Sequence, residues 1–253
     1  MNSLKLIALD NFPFVEPNDD LINLISGSIK ESNLKIDDGD VFVIAQKIVS
    51  KSENRYINLD TVEITSDVKE TASKLNKHPG FIQLIINESN KIISTEKNVI
   101  IVEHKLGYIN INAGIDQSNI PQEKNLVLLL PENPTKSAEY LQKGLSEIFN
   151  KDISVIISDS MTRPFRSGIT NFAISSSNLP SLLDLKGKKD MYGNVLKGTE
   201  VAIADELAAA AGLLMGQGKE SKPVILIKGF IKEKYEVNNA FDLIVDEDED
   251  LYR

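Results

Sequence analysis

Three short apolar runs constrain this chain more than any other feature. "VFVIA" (41–45), "ISVIIS" (153–158) and "PVILI" (223–227) show almost none of the polar alternation of a strand with one wet face. Such runs read as strands buried on both faces, and they are far too short to span a bilayer. Weaker strand signals occur at "LKLIAL" (4–9), "NLVLLL" (125–130) and "TNFAISSS" (170–177), and "KNVIIVEH" with "GYININAG" reads as a hairpin across Lys105–Gly107. Helical spacing appears in "DDLINLISGSIKES", with acids expected in its first turn. "SDVKETASKLNKH" and "GFIQLIINES" read as consecutive helices split at Pro79. A further helix, "NPTKSAEYLQKGLSEIF", has Asn133 as its cap and Pro134 at its first position. The strongest helix spans 199–215, rich in alanine and leucine. Strands and helices alternate without a strict βαβ rhythm. The expected fold is therefore mixed α/β, of α+β type, with mixed sheets and flanking helices. One domain over 1–253 is expected, with any subdivision falling in the polar, turn-rich 177–198 stretch.

Composition removes several kinds of chemistry. There is no cysteine, so disulfides, thiolate catalysis and cysteine zinc sites are excluded, and two histidines leave almost no room for a multi-histidine metal site. The formal charge of −9 comes without a basic block, which argues against nucleic acid as a partner. "MNSLKLIALDNFPF" lacks the basic head and long apolar run of a signal peptide, so a cytoplasmic protein without a membrane partner is expected. No GxxxxGK[ST] loop occurs: "MGQGKE" has Leu213 in place of the first glycine and Glu220 in place of the hydroxyl residue. No GxGxxG follows a strand, and neither HExxH nor GxSxG is present. Carboxylates, amides, hydroxyls, lysines and arginines remain, and such oxygen ligands suit Mg²⁺ or Mn²⁺.

Polar knots interrupt the apolar pattern. In "AQKIVSK", Lys47 and Lys51 lie four residues apart at the expected end of a buried strand, where solvated lysines are common. In "NAGIDQSN", Gly114 permits a tight turn from which Asp116 and Asn119 project, and a simple Asx turn is the plainer explanation. "DSMTRPFRSG" (159–168) follows a buried strand directly. Pro164 disfavours helix at Arg163, so Arg163 and Arg166 are expected on an irregular loop. Guanidinium forks match phosphate and carboxylate, and Asp159 can hold a divalent cation that does the same. The plain alternative is a surface ion pair worth about 0–1 kcal/mol. "KGKKDMYGN" can attract an anion through Lys186, Lys188 and Lys189, or simply be a solvated loop. "MGQG" is a glycine helix stop that leaves Gln217 unexplained.

Taken together, the chain resembles the coenzyme F420-0:L-glutamate ligase family. The segments that carry the resemblance are "NFPFVEPNDDL", "GDVFVIAQKIVSKSE", "IVEHKLGYININAGIDQSNI", "LLLPENP", "VIISDSMTRPFRSGITNFAIS", "LLDLKGKKDMYGN" and "VAIADELAAAAGLLMGQG", in the family's order and over nearly the whole chain. The resemblance implies a homodimer that binds GTP without a Walker loop. It implies divalent metal, Mg²⁺ or Mn²⁺, held by Asp116, Asp159, Ser160 and Gln217, with potassium as a further cation. Nucleotide contacts are implied for Phe12, Pro13, Phe14, Val15, Gln46, Lys47, Lys51, Asn119, Met215, Gly216, Gln217 and Gly218. The family often has threonine where Ser160 stands, glycine at Thr162 and tryptophan at Phe165. No flavin-reductase-like domain of the kind that a longer relative carries is expected after residue 253.

The implied reaction is acyl activation. The carboxylate of F420-0 takes the γ-phosphoryl group of GTP, and the amine of L-glutamate then displaces phosphate; a second cycle adds a γ-linked residue. Arg163, Arg166 and Asp159 are the candidate catalytic residues, the arginines steadying the carboxylate or the transferring phosphoryl group. Three alternatives stay open from the residues alone: a ligase of the same architecture with another carboxylate acceptor, a non-catalytic nucleotide-binding homologue, and a metal-dependent phosphohydrolase.

Overall fold

The computed structural model describes residues 3–96, 98–122, 124–232 and 235–251; Lys97, at the start of the expected hairpin, lies outside them. The chain runs β1 (Lys5–Ala8), α1 (Leu21–Glu31), β2 (Val41–Ala45), α2 (Gln46–Ser52), β3 (Tyr56–Asn58), α3 (Ser66–Leu75), α4 (Pro79–Asn87), β4 (Ser89–Glu96), β5 (Val99–His104), β6 (Ile109–Ile111) and β7 (Leu126–Leu128). It continues through α5 (Pro134–Phe149), β8 (Ser154–Arg163), β9 (Arg166–Ser177), β10 (Leu183–Asp184), β11 (Glu200–Val201), α6 (Ile203–Met215) and β12 (Val224–Lys228). The fold is mixed α/β, as the sequence predicts.

The three apolar runs become neighbours. The main sheet has the order β1-β12-β2-β8-β9. Only β2 and β8 are parallel; the other pairs are antiparallel. Side-chain alternation divides the runs between two cores. Phe42, Ile44, Val155, Ile157, Val224 and Leu226 face α1 and α5. Val41, Val43, Ile156, Ile225 and Ile227 face the alanine-rich side of α6. A strand covered on both faces has no use for polar alternation, which is why these runs show none. A third core joins α3 and α4 to β5 and β7.

Local signals behave as their chemistry requires. Asn133 accepts from the Lys136 amide and caps α5, with Pro134 at its first position. Asp20 is itself the cap of α1, accepting from Ile22 and Asn23, and no acid stands in that helix's first turn, contrary to expectation. α6 starts at Ile203, because 200–201 pairs with β10. Ser89, expected as the last residue of a helix, instead opens the strand β4, which pairs with β5 in a sheet of order β4-β5-β6. Among the described residues, no helix is long and apolar enough to cross a membrane.

Candidate active site

The carboxyl end of β2 opens onto a cleft of about 750 Å³. The ends of strands are where backbone direction changes and loops converge, so side chains from distant segments can meet there. Five segments do so. The "NFPFV" loop contributes Phe12, Pro13, Phe14 and Val15; α2 contributes Gln46, Lys47 and Lys51; the loop after β6 contributes Asp116 and Asn119; β8 and the turn after α6 contribute Asp159, Ser160, Met215, Gly216, Gln217 and Gly218. All twelve expected nucleotide contacts and all four expected metal ligands thus line one cavity.

Lys47 and Lys51 occupy a short helix rather than a strand exit. β2 ends at Ala45 and α2 begins at Gln46, so the four-residue spacing puts both ammonium groups on one helical face. Lys47 Nζ lies 3.1 Å from Asp116 Oδ1 and donates to the Ser118 carbonyl at 3.0 Å. Burial, and then the neighbouring Lys47 charge, lower the Lys51 pKa. Gln46 is buried and its amide is oriented at both ends. Ser50 Oγ donates to its Oε1 at 2.9 Å, which leaves Nε2 to donate to Asp116 Oδ2 at 2.7 Å.

Asp159 lies on β8 opposite Phe172 of β9, and its carboxylate is held by the Ser160 amide, which donates to Oδ1 at 2.8 Å. Burial, and then the charge of Asp116, raise its pKa. Asp116 is raised too, by burial, with Lys47 acting in the opposite direction. Two carboxylates that resist ionising together in a buried place are a strong demand for positive charge. No group of three or more acidic or histidine side chains forms a metal cage among the described residues. The donor set is instead two carboxylates, one hydroxyl and one amide oxygen. The chemistry of that all-oxygen set suits Mg²⁺ or Mn²⁺.

The two sides of the cleft are tied to each other. Asn119 Nδ2 donates to the Gly218 carbonyl at 3.0 Å, and Gly218 N donates to Glu220 Oε2 at 2.7 Å. A family model described as F420-0:Gamma-glutamyl ligase matches residues 11–229, which includes every one of these residues.

This chain belongs to the F420-0:gamma-glutamyl ligase family. Proteins named coenzyme F420:L-glutamate ligase are similar over most of their length. The one from Methanocaldococcus jannaschii is 41% identical over 218 residues, covering 86% of each chain. That from Methanococcus maripaludis strain C7 is 39% identical over 252 residues, 99% of this chain and 97% of the relative. That from Methanothermobacter thermautotrophicus is 38% identical over 227 residues, 90% of this chain and 89% of the relative.

Within this ligase fold the expected arginines stand apart. β8 continues past Asp159 to Arg163, Pro164 and Phe165 form the turn, and Arg166 starts β9 directly opposite Arg163. The expected irregular loop is therefore a hairpin tip. The constraint that Pro164 places on Arg163 favours extended backbone as much as it disfavours helix, and Phe165 closes the turn at φ 59°. Neither arginine lines the cleft. Arg163 is three residues, roughly 10 Å of strand, beyond Ser160. The cleft also contains groups that sequence reading did not single out: Tyr56, Ser158 and Asn171. Asn171 had a detectable signal, since it interrupts the apolar face of "NFAI" with a buried amide.

Proposed function

We propose that this chain is a GTP-dependent ligase that joins L-glutamate to coenzyme F420-0 and then adds a second, γ-linked glutamate. The observation that carries the reading is the cleft itself, where the half-buried Asp116 and Asp159 share one lining with Lys47, Lys51 and the Met215–Gly218 turn. Two lysines focused in one cleft of an acidic protein raise the local concentration of an anionic ligand there.

In this reading the triphosphate lies against Lys47 and Lys51, and the Phe12–Val15 loop covers the nucleoside. A carboxylate oxygen of F420-0 attacks the γ-phosphorus, the bond to the β,γ-bridging oxygen breaks, and GDP leaves. The neutral glutamate amine then attacks the acyl carbon of the mixed anhydride, the C–O bond to phosphate breaks, and the amide forms as the amine's proton leaves with the phosphate. Divalent metal held by Asp116, Asp159, Ser160 and Gln217 would supply charge neutralisation for two anions that otherwise repel. Potassium as an additional cation belongs to the same reading.

Arg163 and Arg166 keep a role in this reading through a homodimer, in which the hairpin of one copy reaches the cleft of the other. The family description supports F420-0 as the acceptor, and the names of the relatives support L-glutamate as the residue added. The test is incubation with GTP, Mn²⁺, L-glutamate and F420-0, read by mass. Glutamate-sized increments matched by GDP are expected. Phosphate release that proceeds equally without F420-0 would replace the ligase by a phosphohydrolase, and absence of any GTP turnover would leave a nucleotide-binding homologue.

A further inference from the structure

Gln217 lines the cleft at the end of a turn, where a side-chain amide has two orientations of similar shape and opposite chemistry. One presents Oε1 to a cation, the other presents Nε2 and repels it. Something must choose between them. At the Asp116 side of the cleft the choice for Gln46 is made by Ser50, whose hydroxyl takes Oε1 and turns Nε2 onto the carboxylate. At the opposite side Gln217 Nε2 donates to Asn171 Oδ1 at 2.8 Å.

Asn171 is well placed to impose that orientation. It sits on β9 opposite Ser160 and is only 5% exposed. Its own amide is oriented in turn, because Nδ2 donates to Met215 Sδ at 3.6 Å and leaves Oδ1 as the acceptor. α6 makes room for it: a Cβ on Gly212 would come within 2.8 Å of the Asn171 carboxamide. The carboxamide therefore has a glycine-wide slot against the helix, a sulfur on one side and Gln217 on the other. With Nε2 engaged by Asn171, Oε1 of Gln217 is the end left for the cleft.

We propose that Asn171 is a positioning residue that fixes the Gln217 amide with its oxygen toward the carboxylates, so that Gln217 acts as a cation ligand rather than a donor. The inference rests on the metal reading of the cleft given above. Loss of a residue that orients a metal ligand typically weakens metal binding on the order of 10–100-fold.

The test uses Mn²⁺ alone as the probe, titrated into the full-length protein and followed by electron paramagnetic resonance of the free ion. Asn171→Leu and Gln217→Leu are each expected to bind about 10-fold more weakly than wild type, and the double variant no more weakly than Gln217→Leu, because the two act as one unit. Wild-type affinity in Asn171→Leu, or losses that multiply in the double variant, would overturn the assignment. Gly212→Ala is the second variant, should Asn171→Leu not fold: its Cβ must displace the carboxamide, and weaker Mn²⁺ binding is again expected. The side-chain amide resonances of Gln217, identified by their absence in Gln217→Leu, give a readout that needs no metal. They are expected to shift in Asn171→Leu and to stay near their wild-type positions in Asn171→Asp, which keeps the acceptor. If wild type bound no Mn²⁺, the metal reading would fall. The amide resonances would then decide the orientation by themselves, and unshifted Gln217 signals in Asn171→Leu would overturn it.

Discussion

Lys47 Nζ stands 3.1 Å from Asp116 Oδ1, with both side chains only 22% exposed. The pair joins α2 to the loop after β6 and sets one cation against one carboxylate. Its net effect on stability is modest, since desolvation offsets much of the attraction. Its effect on an incoming triphosphate is larger, because the same ammonium can pair with phosphate once a metal ion takes over the carboxylates. Lys47→Met is therefore expected to lower kcat/KM for GTP on the order of 10²-fold, by the scale of losing one charged donor at a reacting group. Steady-state kinetics at saturating Mn²⁺ would check it, and an unchanged kcat/KM would remove Lys47 from phosphate binding.

Asp159→Asn keeps the shape of the side chain and removes its charge. Mn²⁺ titration in the presence of GTP is expected to show weaker binding than in wild type. Affinity equal to that of wild type would take Asp159 out of the ligand set. Burial and the neighbouring Asp116 charge raise the Asp159 pKa, so its ionised form gains from a nearby cation.

Arg166→Ala is expected to lower kcat on the order of 10²–10³-fold if the guanidinium steadies charge in the transition state. The hairpin tip lies off its own cleft; under the homodimer reading proposed above, Arg166→Ala and Asp159→Asn should complement each other. Co-expressed in equal amounts, they should form mixed dimers with one intact site each and regain about a quarter of wild-type turnover. Co-expressed protein as inactive as either parent would place the arginine's action within its own chain or nowhere.

His104 carries a pH-dependent contribution to stability. It is buried, stacked on Tyr108 with ring centroids 5.4 Å apart, and its Nδ1 accepts from Leu106 N. Burial, then Lys105 and Arg55, lower its pKa to about 4. Glu88 is 4.0 Å from its Nε2 but already faces Arg55 and Lys105, so it offers little help to a protonated ring. The unfolded chain takes up a proton near pH 6.5 while the folded chain does not until about pH 4. Stability therefore falls as pH falls through that window, by at most about 3 kcal/mol. Urea midpoints of wild type and His104→Asn at pH 7 and pH 4.5 check this. Wild type should lose more than the variant, and equal losses would show that the ring does not carry the effect.

Gly80→Ala tests the core built by α3 and α4. A Cβ at Gly80 would lie 2.2 Å from the Leu59 carbonyl oxygen, and backbone cannot swing aside as a flexible side chain can. A destabilisation of about 1–3 kcal/mol is expected from overpacking. A urea midpoint matching wild type would mean that α4 slides along the short helical turn at Leu59 without cost.

Much of the chain could be read directly from residue order. The unbroken apolar runs become β2, β8 and β12 because a strand between two helical layers must be apolar on both faces, and that requirement is written locally. The Asn133–Pro134 start of α5 is likewise local, since a cap acts over three residues. The knots at Lys47, Asp116, Asp159 and Gln217 stood out as polar interruptions, and the resemblance to a family of ligases named them as one site. Tertiary structure alone decided that α2 follows β2 without a break and turns both lysines inward. It also decided that Arg163 and Arg166 end a hairpin outside the cleft, and that Asn171 meets Gln217. Local order records which side chains are apolar, bend the chain or cap it. Which distant side chains meet is decided by strand order and register, which place Asn171 beside α6 and Asp159 on the opposite face of the same sheet.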